Sequence, residues 1–103
     1  MIKVSVKLHN NEIKSIHTTG HSGSAEKGKD LVCAAVSAIM FGTANAVYEL
    51  NTNGEAKQEE NSITVSATDS SLDVQTILNT CLVQLETVQE TNSDFIQIEK
   101  LEV

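Results

Sequence analysis

Apolar and polar residues alternate without a break over residues 2–8 (IKVSVKL). Ile2, Val4, Val6 and Leu8 share one face, and Lys3, Ser5 and Lys7 share the other. That period of two predicts a half-buried strand. The following His9-Asn10-Asn11-Glu12 is suited to a hairpin turn, because Asn tolerates positive φ. A second strand is expected over about 13–18, but Ile13 and Ile16 fall on opposite faces, which predicts a bulge or an early end. Residues 19–29 (TGHSGSAEKGK) carry Gly20, Gly23 and Gly28 and read as a loop.

Asp30 then stands where a helix N-cap belongs, ahead of LVCAAVSAIMFGTANAVYEL. Between Leu31 and Phe41 only Ser37 interrupts the apolar residues, so this helix is expected to be buried on most sides. Gly42 within it is expected to permit close packing. Residues 51–61 (NTNGEAKQEEN) read as a polar, acidic connection, and residues 63–67 as a third strand. Ser70-Ser71-Leu72-Asp73 fits a capping box. Behind it Val74, Ile77, Leu78, Cys81, Leu82, Leu85 and Val88 recur at helical spacing over about 72–91. A fourth strand is expected over 95–99, with Ile96 and Ile98 facing in. The order ββαβαβ describes an α+β fold: one domain over residues 1–103, a four-stranded sheet with two helices, one of them largely buried.

With 40% hydrophobic and 20% charged residues, the 103-residue chain has the composition of a globular protein. No uninterrupted apolar run approaches 18 residues and the start lacks a signal peptide's layout, so no membrane span and a cytoplasmic location are expected. Fourteen acidic residues against seven Lys give a net charge of −7. Residues 1–30 carry +2 of this and residues 31–103 carry −9. With no Arg and only Phe41, Tyr48 and Phe95 as aromatics, the chain is poorly equipped to hold nucleic acid directly. A basic protein partner matches the charge better, although excess acid also serves solubility alone.

Candidate chemistry concentrates in residues 20–37, GHSGSAEKGKDLVCAAVS. With Asp30 as N-cap, Cys33 falls at the third helical position, where free backbone N–H groups and the helix dipole favour an anion. A thiolate there is a strong nucleophile, and the same amides are placed to hold an oxyanion. His21, twelve residues upstream on the glycine loop, is the candidate general base and then acid. Against this, a cysteine in an apolar helix is commonly a small core residue, and a loop histidine is commonly solvated. Cys81, beside Ile77, Leu78 and Leu85, reads as structural, and His9 and His17 have no assigned role. Ser37, four residues after Cys33, shares its helix face, either bonded back to the preceding turn or as a polar contact near the site. Both cysteines are expected to be reduced. His21, Asp30 and Cys33 lack a paired metal-ligand spacing, so zinc and a metal-dependent hydrolase are disfavoured. The phosphate-loop pattern fails because Asp30 stands where a hydroxyl is required.

Gly20-His21, followed after a short loop by Asp30-Leu31-Val32-Cys33-Ala34-Ala35-Val36-Ser37, resembles the signature of the ribosomal-processing cysteine protease Prp family, a GHA triplet and then D-[IL]-V-C-A-A-V-S. The likeness extends over the whole chain in length and element order. It implies a homodimeric α+β protein that removes a short N-terminal extension from a large-subunit ribosomal protein, with no cofactor. Cys33 is then the nucleophile and His21 its base, while Gly20, Asp30 and Ser37 match the other characteristic positions. The family recognises an apolar, aromatic-containing peptide before the cut. Ser22 departs from the pattern, standing where Ala is usual. The competing reading is a non-catalytic, ribosome-associated module that grips a protein without cutting it.

Overall fold

The computed structural model describes residues 1–20 and 29–103. β1 (Ile2–His9) and β2 (Glu12–Thr19) form the hairpin that the alternation requires. Asn10 and Asn11 take φ of 51° and 66°, the left-handed pair that matches a two-residue turn to the twist of its strands. The irregularity expected from Ile13 and Ile16 is a β-bulge. Lys7 pairs with Ser15 but Leu8 with Ile13, so Lys14 is an extra residue. The extra residue turns Ile13 to the core, where it and Ile16 are both buried. Gln75 secures the bulge from the opposite layer: its Oε1 accepts from the Ile13 N–H at 2.9 Å and its Nε2 donates to the Ile13 carbonyl at 2.8 Å.

α1 (Lys29–Glu49) follows, then β3 (Gly54–Glu59), β4 (Ser62–Ala67), α2 (Leu72–Thr91) and β5 (Ile96–Glu102). The sheet therefore has five strands in the order β3-β4-β2-β1-β5, not four, and the chain runs ββαββαβ. β3 lies in the segment expected to be a polar connection. It escapes the alternation rule because it is an edge strand: only Gly54 and Ala56 turn partly inward, and Glu55, Lys57, Gln58 and Glu59 are exposed. β5 runs parallel to β1 and extends three residues beyond the expected strand. α2 has the expected limits, but its N-cap is Ser71 and no side-chain capping bond forms. The Ser71 hydroxyl is bonded to Asp69 instead.

Both helices lie on one face of the sheet and share one core with it. Ile2, Val4, Val6, Ile16, Val65 and Ile96 supply the sheet side, and Val36, Met40, Val74, Leu78 and Leu85 the helix side. The expectation that α1 is largely buried does not hold: only 28% of its most apolar window is buried. In a two-layer fold a helix has one stripe on the sheet, so Val32, Val36, Met40, Thr43 and Val47 are covered while Leu31, Phe41 and Tyr48 stay exposed. Gly42 faces outward too, and a Cβ there would meet nothing within 4 Å, so it packs against no neighbour. By length and composition Asp30–Glu49 is apolar enough to cross a membrane, contrary to the reading of the uninterrupted runs. A core helix of a globular domain meets the same criterion, and α1 contributes four large side chains to this core.

Gly54 opens β3 where the two helices and the sheet converge. An added Cβ would lie 2.8 Å from Val47 Cγ1, 2.9 Å from the Ser66 carbonyl oxygen and 3.0 Å from Val74 Cγ2. Gly54→Ala is expected to cost about 1–3 kcal/mol through overpacking, seen as a lower Tm in thermal unfolding with retained far-UV circular dichroism.

Candidate active site

Gly20 ends β2 with φ +93°, and a Cβ at that position would stand 2.7 Å from the Met1 carbonyl oxygen and 3.2 Å from Ile2 Cα. Only glycine meets both constraints, since L side chains avoid this φ and the obstruction is backbone rather than a side chain that can yield. The start of β1 thus presses on the point where the chain leaves the sheet for residues 21–28. His21 and Ser22 lie outside the described residues.

At the far side of that segment, α1 begins at Lys29. Asp30 is therefore inside the first turn, exposed, and not the N-cap expected of it. Cys33 becomes the fifth helical residue instead of the third, and its own N–H falls within the helical ladder. Side chains on a helix lean toward its N-terminus, so the Cys33 side chain leans over the turn that precedes it. The favourable end of the dipole and the thiol remain neighbours for this geometric reason.

Cys33 follows Val32, which the core covers, and precedes Ala34, which faces solvent. It is half-buried on the flank of α1, touching the core at its base. Ser37 and Phe41 continue the same flank at intervals of four residues, and both line a 110 Å3 cavity closed by Gln58, Glu59, Glu60, Asn61, Ser62 and Ile63 of the β3–β4 hairpin. Tyr48, seven residues after Phe41, ends the flank with its hydroxyl on the backbone of Ala56 in β3. The sequence pairs Ser37 with Cys33, but it carries no sign that the β3–β4 turn closes the other wall.

Cys81 has the opposite surroundings. It is 1% exposed, its Sγ donates to Met40 Sδ at 3.7 Å, and burial pushes its thiol up against a smaller opposing effect of a hydrogen bond with Thr43. Neither thiol is in a disulfide. His17 holds Thr64 Oγ1 at 2.6 Å on the side of the sheet facing away from the helices. His9 holds the Val103 carbonyl oxygen at 2.7 Å at the end of β5. The sheet itself separates His17 from Cys33.

The family model for cysteine protease Prp matches residues 1–97. The ribosomal processing cysteine protease Prp of Mycoplasma pneumoniae is 34% identical over 102 residues, covering 96% of this chain and 94% of the relative. An essential ribosomal processing protease Prp from S. aureus, solved with a substrate peptide, superposes with a TM-score of 0.89 at 28% identity, covering 97% of this chain and 99% of that one. The same S. aureus protease with a covalently linked product peptide gives a TM-score of 0.85, also at 28% identity, with the same coverage.

Two outcomes follow from the local geometry. A small thiol-selective alkylator labels Cys33 in the folded protein while Cys81 reacts only after denaturation, as read by peptide mass mapping; equal rates contradict the assignment of accessible and sealed thiols. Gly20→Ala destabilises the fold by more than about 1 kcal/mol, because a β-carbon is unsuited to positive φ and strikes backbone, and it lowers the urea midpoint of unfolding.

Proposed function

The chain belongs to the cysteine protease Prp family, and from that membership we propose that it is the endopeptidase that removes a short N-terminal extension from a large-subunit ribosomal protein. One observation supports this most directly: Cys33 stands half-buried at the start of α1, in contact with the core yet reachable, whereas Cys81 is sealed. A nucleophile needs an anchored backbone and an open approach, and of the two thiols only Cys33 has both.

In this reading the Cys33 thiolate attacks the scissile carbonyl and the first-turn amides of α1 hold the oxyanion. His21 takes the thiol proton and returns it to the leaving amine, and a water then hydrolyses the thioester. Two features support His21 as the base. It directly follows Gly20, whose position at the end of β2 is fixed by backbone contact, and the chain's other two histidines are engaged elsewhere. Asp30 contributes negative charge in the first turn and Ser37 a hydroxyl one turn below the sulfur. Gly20 sets the direction in which the chain leaves β2. The reaction calls for no cofactor or metal. A reducing cytoplasm is the setting that keeps Cys33 a thiol.

We further place a second copy of the chain on the outer surface of the two helices, giving a homodimer. A 460 Å3 groove runs there between Ala38, Gly42 and Ala46 of α1 and Thr76, Thr80 and Gln84 of α2. Leu72 and Val83 beside it are 82% and 60% exposed. Apolar exposure of this kind, on small residues that admit close approach, suits a self-complementary contact.

The test uses the host's large-subunit ribosomal proteins, synthesised with their encoded N-termini and incubated with the purified chain. Mass spectrometry is expected to show one of them shortened at its N-terminus. Cys33→Ala reduces that cleavage by at least about 10^3-fold, the scale of losing a covalent nucleophile, and leaves the circular dichroism spectrum unchanged. Undiminished cleavage by Cys33→Ala overturns the proposal. Val83→Glu is expected to shift the sedimentation of the protein toward the monomer.

A further inference from the structure

The flank of α1 that carries Cys33, Ser37, Phe41 and Tyr48 runs alongside β3, and β3 is an edge of the sheet. An edge strand presents backbone donors and acceptors to whatever lies beside it. At Ala56 these groups are already occupied: the Ala56 N–H donates to the Tyr48 hydroxyl at 2.8 Å, and that hydroxyl lies 3.3 Å from the Ala56 carbonyl oxygen. Ala56 therefore points its main chain away from β4. In an antiparallel ladder this orientation repeats every second residue, so the N–H and C=O of Gln58 point the same way. Among the described residues none bonds to them.

Gln58 is also a wall of the cavity that begins at Ser37, together with Phe41, Glu59 and Glu60. Ser37 lies one helical turn from Cys33, about 6 Å along the axis. An extended chain covers that distance in about two residues. Among the described residues Glu59 has only Lys57 as an ionic neighbour, at 3.9 Å on an exposed surface, and Glu60 has none. The chain as a whole carries −7.

We propose that the free edge of β3 at Gln58 is the docking strand for the peptide being cut, and that Glu59 and Glu60 receive a lysine or arginine side chain of that peptide. This rests on Cys33 as the nucleophile and adds where the substrate lies and what charge it carries. A segment about two residues from the scissile bond pairs through its backbone with Gln58. One of its side chains turns into the cavity against Phe41, and the next meets the acidic turn, since neighbouring side chains on a strand point to opposite sides. Tyr48 occupies the edge at Ala56 and so sets the register, leaving one position open.

The test uses the Cys33→Ala protein and a fluorescent peptide spanning the ribosomal-protein cleavage junction, together with the same peptide carrying Gln for each Lys and Arg. Gln58→Pro removes the outward-facing N–H that Gln58→Ala keeps, a substitution that edge strands tolerate, and is expected to weaken peptide binding at least tenfold relative to Gln58→Ala with the circular dichroism unchanged. Glu59→Gln with Glu60→Gln is expected to weaken binding of the native peptide at least fivefold and of the neutralised peptide less than twofold. Hydrogen exchange at the Gln58 amide is expected to slow when peptide is added. Equal weakening of both peptides, or unaltered exchange at Gln58, overturns the proposal. Slowing that grows with protein concentration alone also overturns it and assigns the edge to a second copy of the chain. Wild-type cleavage of the same peptide is measured in parallel. Its absence removes the protease reading and the proposal together, whereas cleavage with unaffected variants removes the proposal alone.

Discussion

Everything about the site follows from how α1 is seated on the sheet. Val32, Val36, Met40 and Val47 form the stripe that the sheet covers. Turning the helix by one residue would bring these four toward water, at about 1.5–3 kcal/mol each. That total of about 6–12 kcal/mol is comparable with the whole net stability of a small domain. The helix therefore has one rotational setting. Successive residues are about 100° apart around the axis, so burying Val32 fixes Cys33 on the flank. The thiol's partial exposure is a consequence of the core and needs no device of its own.

The same setting separates three surfaces of one helix. The flank bearing Cys33, Ser37 and Phe41 meets the β3–β4 hairpin. Met40, on the core stripe, meets Cys81 of α2, and the outer side carries Ala38 and Gly42 in an open groove. The flank bearing Cys33, the core stripe and the open groove thus occupy different faces, and a change to one face need not disturb the others. The two thiols show this separation directly. They differ in burial because one lies off the core stripe of α1 and the other lies on the packed face of α2.

Gly20 connects the sheet to this arrangement. Its backbone is held against Met1 and Ile2, so the first strand defines where the chain enters the segment that carries His21. The sequence marks Gly20 only as a characteristic position beside a histidine. Its reason is tertiary: residues 1 and 20 become neighbours when β1 and β2 pair, and the atom that forbids a side chain is the carbonyl oxygen of Met1, just ahead of β1. Gln75 is similar, since nothing near it in the chain signals that both its amide groups secure the bulge at Ile13.

The sequence alone determined the hairpin, the bulge, the limits of α2 and the inward face of β5, because each depends on a local period or on the φ preference of Asn. It also determined the constellation of Gly20, His21 and Cys33, whose residue types and spacing are legible without a fold. Tertiary structure decided the rest. α1 is apolar nearly all round, so its composition does not tell which residues face in; the single sheet beneath it does, and most of the helix lies open. β3 has no large apolar side chain to mark it, because an edge strand is held by backbone pairing to β4, and pairing between strands is invisible to periodicity. Asp30 lies inside α1 rather than at its cap, so Cys33 stands two positions further into the helix than its local sequence implies. Local patterns single out the candidate residues, and only the packing of a helix on a sheet specifies which way Cys33 points.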